Sequence, residues 1–265
     1  KKNYYLELTD ANLPFASLPN TDVEGLVLEI PYNKAATNET LFPLTSTTRV
    51  NDEVKRSTQV SINKNDMLIK CASVKKGSLS TYSRYTYASL SKEKQMEELR
   101  KGISNDYKNP VVINDANFYD LDKLADSIKY DYAYTVKNEV IEIGQMKTFK
   151  VPFADFFVRI DHFIEESREF PLCYWRYENT DKYVEEMTIQ LAAPSQFVEV
   201  PKDLVTSFND IHYKLTFKKI NPTTLKVMRE VSIKSKKNIQ PEEYAKFREF
   251  VNTITTAEAK YVAFK

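Results

Sequence analysis

The chain has 265 residues, and its 38 Lys and Arg nearly balance 37 Asp and Glu, for a net charge of +1. That balance supplies no overall basic field for nucleic acid or anionic lipid, and no apolar run approaches the length needed to span a membrane as a helix. Four glycines, with no Gly-x-Gly-x-x-Gly and no Gly-x4-Gly-Lys-Ser/Thr pattern, argue against a phosphate-cradling loop, whereas 17 Tyr and 15 Phe beside a single Trp suit half-buried pleated surfaces.

In chain order, Tyr4 to Leu8 reads as a buried strand, stopped by the turn-forming run Asp10 to Pro14. Leu26 to Ile30 is a second strand. Val54 to Ile62 puts Val54, Arg56, Thr58, Val60 and Ile62 on one face. A turn at Asn63 to Asp66 leads into Met67 to Val74, and Lys75-Lys76-Gly77 turns into a further strand over Leu79 to Tyr87, where Tyr85 and Tyr87 stand at strand spacing. Ser91 then caps a helix with Glu93 in its first turn and Met96, Leu99 and Ile103 on its apolar stripe; Asn109-Pro110 ends it. Val111 to Ile113 is a short strand, Asp120 to Asp126 a helical turn or link, and a domain boundary falls between residues 123 and 124.

The second half alternates more regularly. Tyr130, Tyr132, Tyr134 and Val136 share one face, and Val140 to Ile143 turns at Gly144 into Met146 to Val151. Residues 152 to 179 are irregular. Strands follow at Met187 to Leu191, Phe197 to Val200, Tyr213 to Phe217 and Leu225 to Ile233, the last with Arg229 interrupting its apolar face. Pro241, Glu242 and Glu243 open a helix whose buried stripe is Tyr244, Phe247, Phe250, Val251 and Ile254, and Tyr261 to Phe264 is a closing strand. The expected fold is mostly β, of the α+β class: two antiparallel β-sandwich-like domains, residues 1–123 and 124–265, with two main helices.

Few side chains are patterned for chemistry. Cys71 and Cys173 fit neither a disulfide-rich scaffold nor a CxxC metal site, and a bridge between them stays open. His162 with Cys173 is the one imaginable nucleophile–base pair; a loop histidine beside a buried thiol is the competing reading and the better one. His212 reads as a strand-edge residue. Glu165-Glu166 and Glu185-Glu186 are sequence neighbours that point to opposite faces of a strand, which makes them poor acid–base partners. Tyr174, Trp175 and Tyr177 form a candidate ligand surface, a flat aromatic platform for sugars or a partner's side chains, with inward-pointing rings as the alternative. The chain is therefore expected to be non-enzymatic, with no metal or cofactor.

Three stretches carry a family resemblance. Residues 4–19, YYLELTDANLPFASLP, resemble the end of the catalytic core in bacterial transglutaminase-like proteins, where a Leu-Asp-x-Thr-Asp segment precedes a Pro-rich loop. Residues 168–204 and 220–254 resemble the blocks of the uncharacterised β-sandwich that follows that core, including Pro-Glu-Glu-Tyr-x-x-Phe-Arg-x-Phe from Pro241. The resemblance implies that Glu7 occupies the place of the Asp in a Cys-His-Asp triad. The family's Cys and His lie upstream of that Asp, whereas Cys71, Cys173, His162 and His212 all follow Glu7. It also implies a non-catalytic scaffolding or interaction region of an exported, periplasmic or extracellular protein. Its partner would be an upstream transglutaminase-like domain, with a protein or glycan as a further partner. The alternatives are an independent carbohydrate- or protein-binding module and, less favoured, a Cys/His enzyme.

Overall fold

The computed structural model describes residues 4–19, 21–23, 25–28, 41–44, 49–124, 127–155, 158, 160–174, 180–234 and 236–265. Near the N-terminus two short strands, β1 (Leu26–Leu28) and β2 (Leu41–Pro43), pair antiparallel over a small cluster of Leu18, Val23 and Leu44, with Tyr5 and Val27 against it. This cluster is separate from the main core.

The main sheet has eight strands. In chain order they are β3 (Glu53–Asn63), β4 (Asp66–Lys76), β5 (Val111–Tyr119), β6 (Ser127–Val136) and, after two strands of a smaller sheet, β7 (Ile141–Ile143) and β8 (Met146–Lys150), β9 (Lys182–Leu191). The smaller sheet's β10 (Phe197–Glu199) precedes β11 (Leu204–Phe208), β12 (Ile211–Asn221) and β13 (Thr224–Ile233), and β14 (Tyr261–Phe264) closes the chain. The eight-stranded order is β11-β12-β13-β9-β3-β4-β6-β5, and the smaller sheet runs β10-β14-β8-β7. All neighbours in the large sheet are antiparallel except β3 and β9, which run parallel from Glu53↔Lys182 to Ile62↔Leu191.

Strict alternation sets the layers. In β3, Val54, Arg56, Thr58, Val60 and Ile62 are buried while Lys55, Ser57, Gln59 and Ser61 are exposed. In β6, Ile128, Tyr130, Tyr132, Tyr134 and Val136 face the same core. Helices cover that face: α1 (Leu79–Tyr87), α2 (Lys92–Ser104) and α3 (Tyr244–Glu258). The α2 N-cap is Ser91, whose hydroxyl accepts the Lys94 N–H, and α3 is entered through a 3-10 turn at Pro241–Glu243. Tyr244, Phe247, Phe250, Val251 and Ile254 of α3 are all at most 5% exposed, so at roughly 1.5–3 kcal/mol each their burial fixes the helix on the sheet. Phe208 of β11 meets Phe247 and Phe250 at ring separations of 5.4 and 6.0 Å.

The fold is thus mostly β of the α+β class, with four corrections of detail. First, the large sheet is mixed rather than antiparallel throughout. Second, a boundary at 123/124 does not divide it: β4 pairs with β6 and β3 with β9 across that point, over one continuous core. Third, Leu79–Tyr87 is a helix, which makes three α-helices among the described residues instead of two. Ser80, Ser83 and Arg84 lie on its buried face at helical spacing, and the Arg84 guanidinium donates to Ser80 Oγ at 2.5 Å and to the carbonyls of Lys123 and Ser127 at 3.2 and 3.3 Å. Tyr82 and Tyr85 face solvent while Tyr87 is half-buried against Phe118, so the Tyr85/Tyr87 pair that suggests a strand falls on different sides of a helix anchored by a buried arginine. Fourth, Tyr4 to Leu8 is not a strand. Leu6 and Leu8 are exposed, and Glu7 turns its carboxylate back onto the N–H groups of Thr9 and Asp10, at 2.7 and 3.0 Å.

Candidate functional site

Three adjacent central strands place opposite charges side by side on the buried face. Arg56 of β3 stands opposite Glu185 of β9, and Glu185 stands opposite Arg229 of β13. Arg229 is fully buried; it donates to Glu185 Oε2 at 2.8 Å, Glu258 Oε1 at 2.9 Å, the Tyr183 hydroxyl at 2.9 Å and the Asp155 carbonyl at 2.6 Å. Its guanidinium carbon lies 4.4 Å from the Phe153 ring centroid and 4.8 Å from that of Tyr183, between two aromatic faces. Arg56 donates to Ser73 Oγ at 2.8 Å, Tyr183 at 3.1 Å and Asp155 Oδ2 at 2.7 Å. Thr58 and Tyr183 complete the Glu185 carboxylate, and Tyr213 of β12 donates to Glu258 Oε1 at 2.7 Å.

The electrostatics hold these charges in place. Partial burial would raise the Asp155 carboxyl, but Arg56 and Lys75 hold it well below the usual carboxylate range. Burial works against the Arg56 and Arg229 cations; Asp155 and Tyr183 around the first, and Tyr183, Glu258 and Glu185 around the second, keep both charged. The network acts as a clamp joining the sheet, the 153–155 loop and the last turn of α3. Its sequence signal was an arginine at an inward position of each of two strands, with Glu185 inward on the strand between them.

A second clamp lies beside the first, just ahead of the start of β3 and β9. Arg49 pairs with Asp52 at 3.1 Å and Asp181 at 2.7 Å, and Lys236 reaches Asp181 at 3.3 Å. Asp52 Oδ1 also accepts the Ser78 N–H at 2.6 Å, which seats the start of α1. Burial pushes the Asp52 carboxyl up to about 6. Next to it Gly77 has φ of +70°, and any β-carbon there would collide with Asp52 Oδ1 and the Asn51 carbonyl.

The residues singled out from sequence are scattered. Glu7 is on the surface, its carboxylate committed to the turn that follows it. Tyr174 is buried, its ring 5.0 Å from Phe247 and 6.4 Å from Phe163, so it belongs to the α3 core and not to an exposed platform; Trp175 and Tyr177 lie outside the described residues. Of the two readings open for Tyr174 the inward one holds, and the irregular stretch around it carries no period that tells inward from outward. Cys71 and Cys173 are free thiols. Cys71 is buried in β4 beside Thr58, and burial raises its thiol. His162 is exposed in a 3-10 turn, and His212 is exposed on β12. Among the described residues no group of three or more His, Cys, Asp or Glu is placed to hold a metal ion.

Two cavities flank the Arg56–Arg229 network. One, of about 380 Å³, lies between α1, α2 and the sheet and is lined by Arg56, Lys75 and Asp155 with Tyr87, Phe118 and Tyr130. Its rings stack in a row, Tyr87 to Phe118 at 4.1 Å and Phe118 to Tyr130 at 5.6 Å, with the Lys75 ammonium 5.9 Å from the Tyr130 centroid. The other, of about 340 Å³, lies between residues 151–153, 158 and 160–161 and the last turn of α3.

No curated protein matches the chain. The buried network draws Asp155, Glu185, Arg229 and Glu258 from residues 145–264, while Arg56 and Thr58 reach them from β3. Residues 145–264 match the family model of a domain of unknown function, DUF3858.

Proposed function

We propose that the chain is a non-catalytic scaffolding and interaction region that follows a transglutaminase-like core in an exported bacterial protein. One observation carries this reading. Tyr4, Leu6, Leu8 and Phe15 are 49–85% exposed on a segment that is nevertheless fastened to the body. The fastenings are the Val50 N–H to the Ala16 carbonyl at 2.8 Å, Thr81 to the Asn12 carbonyl at 3.4 Å, and the cluster of Leu18, Val23 and Leu44 beneath it. An apolar strip held in a fixed place suits a covering domain, and the likeness of residues 4–19 to the end of a transglutaminase-like core supports reading that domain as such a core. The two buried clamps support the same role, because they lock the sheet and α3 into a rigid base.

The test is association with the domain encoded ahead of Lys1. The double variant Leu8→Asp with Phe15→Asp is expected to weaken that association at least about tenfold while leaving the chain's own melting temperature within about 2 °C, since both side chains are already exposed. Unchanged association, or a reading frame with no such domain ahead of Lys1, rules the proposal out.

A carbohydrate-binding module is the second reading, moved from Tyr174 to the cavity walled by Tyr87, Phe118 and Tyr130. The observation favouring it is the stacked ring row beside the Lys75 ammonium and the Asp155 carboxylate, which together offer a flat face and both donors and acceptors. Glycan-array binding that disappears in Tyr87→Ala supports it; an array without hits removes it.

A further inference from the structure

The outward side of the large sheet, opposite the face that the helices cover, carries a hollow of about 690 Å³. Two neighbouring rows of register partners build it. One runs Val184, Lys55, Val74, Lys129 and Tyr119 across β9, β3, β4, β6 and β5. The other runs Glu186, Ser57, Ala72 and Asp131 across β9, β3, β4 and β6. Ser57 and Ala72 are the shortest of these side chains and stand between longer ones, which leaves the depression. The same face is unevenly charged. Lys55, Lys70, Lys129, Lys182, Lys218 and Lys226 are exposed at its outward positions. Of its carboxylates, Glu230, Asp115 and Asp66 pair with other lysines, Lys214, Lys92 and Lys137, so among the described residues Glu53, Asp131 and Glu186 are what remain to offset those six. Lys218 and Lys226 stand directly opposite each other on β12 and β13, a like-charge pair that is unfavourable unless an anion lies over it. The near-neutral sum of the chain thus hides a local basic field.

We propose that this face binds a linear acidic polysaccharide, a chain of sugar rings that carry carboxylates. Lys55 and Lys129 flank the hollow two strands apart, roughly 10 Å, and take carboxylates along the chain. Ser57, with Gln59 and Thr188 in the next outward row, meets sugar hydroxyls, and Tyr119, 48% exposed, offers a ring at one side. Other polyanionic partners suit the face less well. Protein interfaces are depleted in Lys, Ser and Ala, the residues that make this one. Nucleic acid favours arginine forks and a series of stacking rings; the arginines of these strands, Arg56 and Arg229, are turned inward, and Tyr119 is the one exposed ring lining the hollow. A sheet eight strands wide also fits no duplex groove. The inference does not depend on the scaffold reading, which rests on residues 4–15.

The test is titration of the isotopically labelled full chain with an oligogalacturonate, with its methyl ester as the neutral counterpart and with oligoglutamate and oligothymidylate as the other polyanions. Amide shifts are followed at Lys55, Ser57, Ala72 and Asp131. Saturable shifts there are expected with oligogalacturonate, with binding of the methyl ester at least about tenfold weaker and binding of the acid falling as salt is raised. Lys55→Glu with Lys129→Glu should cost at least about tenfold in binding and leave the melting temperature within about 2 °C, because both side chains are exposed. Lys246→Glu with Lys260→Glu makes the same change in net charge at exposed positions on and just after α3, and should cost less than about twofold. The proposal is overturned if oligogalacturonate does not saturate, if acid and ester bind equally, or if the two double variants lose binding equally. Oligoglutamate or oligothymidylate binding as tightly as oligogalacturonate overturns the choice of a polysaccharide. Shifts confined to Tyr87 and Phe118 would place the sugar in the aromatic cavity and overturn it as well.

Discussion

Arg229→Met tests the clamp that organises the core. The side chain is fully buried, and its removal leaves Glu185 with only the Thr58 and Tyr183 hydroxyls and Glu258 with only that of Tyr213. Neither carboxylate then has a cation at salt-bridge distance among the described residues. Breaking a buried pair by deleting one partner costs about 3–5 kcal/mol, because the stranded charge stays in a poor solvent. For a chain of this size that corresponds to a fall in melting temperature of roughly 6–20 °C, and a matching drop should appear in urea unfolding followed by far-UV circular dichroism. The triple variant Arg229→Met, Glu185→Gln, Glu258→Gln removes the stranded charges while keeping acceptors for the hydroxyls. It should recover more than half of the loss. A single variant within about 1 kcal/mol of the parent, or a triple variant as unstable as the single one, refutes the argument that uncompensated charge sets the cost.

Gly77→Ala should destabilise by at least about 1–3 kcal/mol in the same urea assay, because it strains a positive φ and pushes a β-carbon into the Asp52 carboxylate; a neutral result contradicts the packing of that turn. Asp52 has a folded-state pKa of about 6 against 3.8 unfolded, so its contribution is fully present below about pH 4 and is lost as pH rises to about 6, a change on the order of 3 kcal/mol. Asp52→Asn should lack that fall in stability, and parallel pH profiles for the two proteins would show that burial does not govern this carboxyl. The Cys71 thiol, buried and raised, should resist alkylation at neutral pH in the native chain and react at the ordinary rate in urea; fast native labelling at Cys71 contradicts its placement.

Period was what made the sheet readable. β3, β6 and β13 each alternate for five or more positions, so their inward faces follow from residue order alone. α3 was legible for the same reason at helical spacing, with Pro241 and two glutamates marking its start. α1 was not, because its nine residues carry a tyrosine at every second or third place and the decisive contact, Arg84 with the carbonyls of Lys123 and Ser127, comes from 39 and 43 residues away. Distance in sequence also hid the network. Arg229 was visible as a break in an apolar face, but the pairing of β13 with β9 and of β9 with β3, which turns that break into a clamp, depends on a parallel neighbour 129 residues along from Glu53 to Lys182. For Tyr174 the sequence left a surface and an inward reading open, because an irregular segment offers no period, and only packing against Phe247 decides for the core.

The most direct test of the scaffold proposal is hydrogen exchange over residues 5–15, measured on the chain alone and joined to the transglutaminase-like domain that the proposal pairs it with. The account predicts that these amides exchange at least about tenfold more slowly when that domain is present, while β3, β9 and β13 are unaffected. Equal exchange over residues 5–15 in both proteins would contradict it.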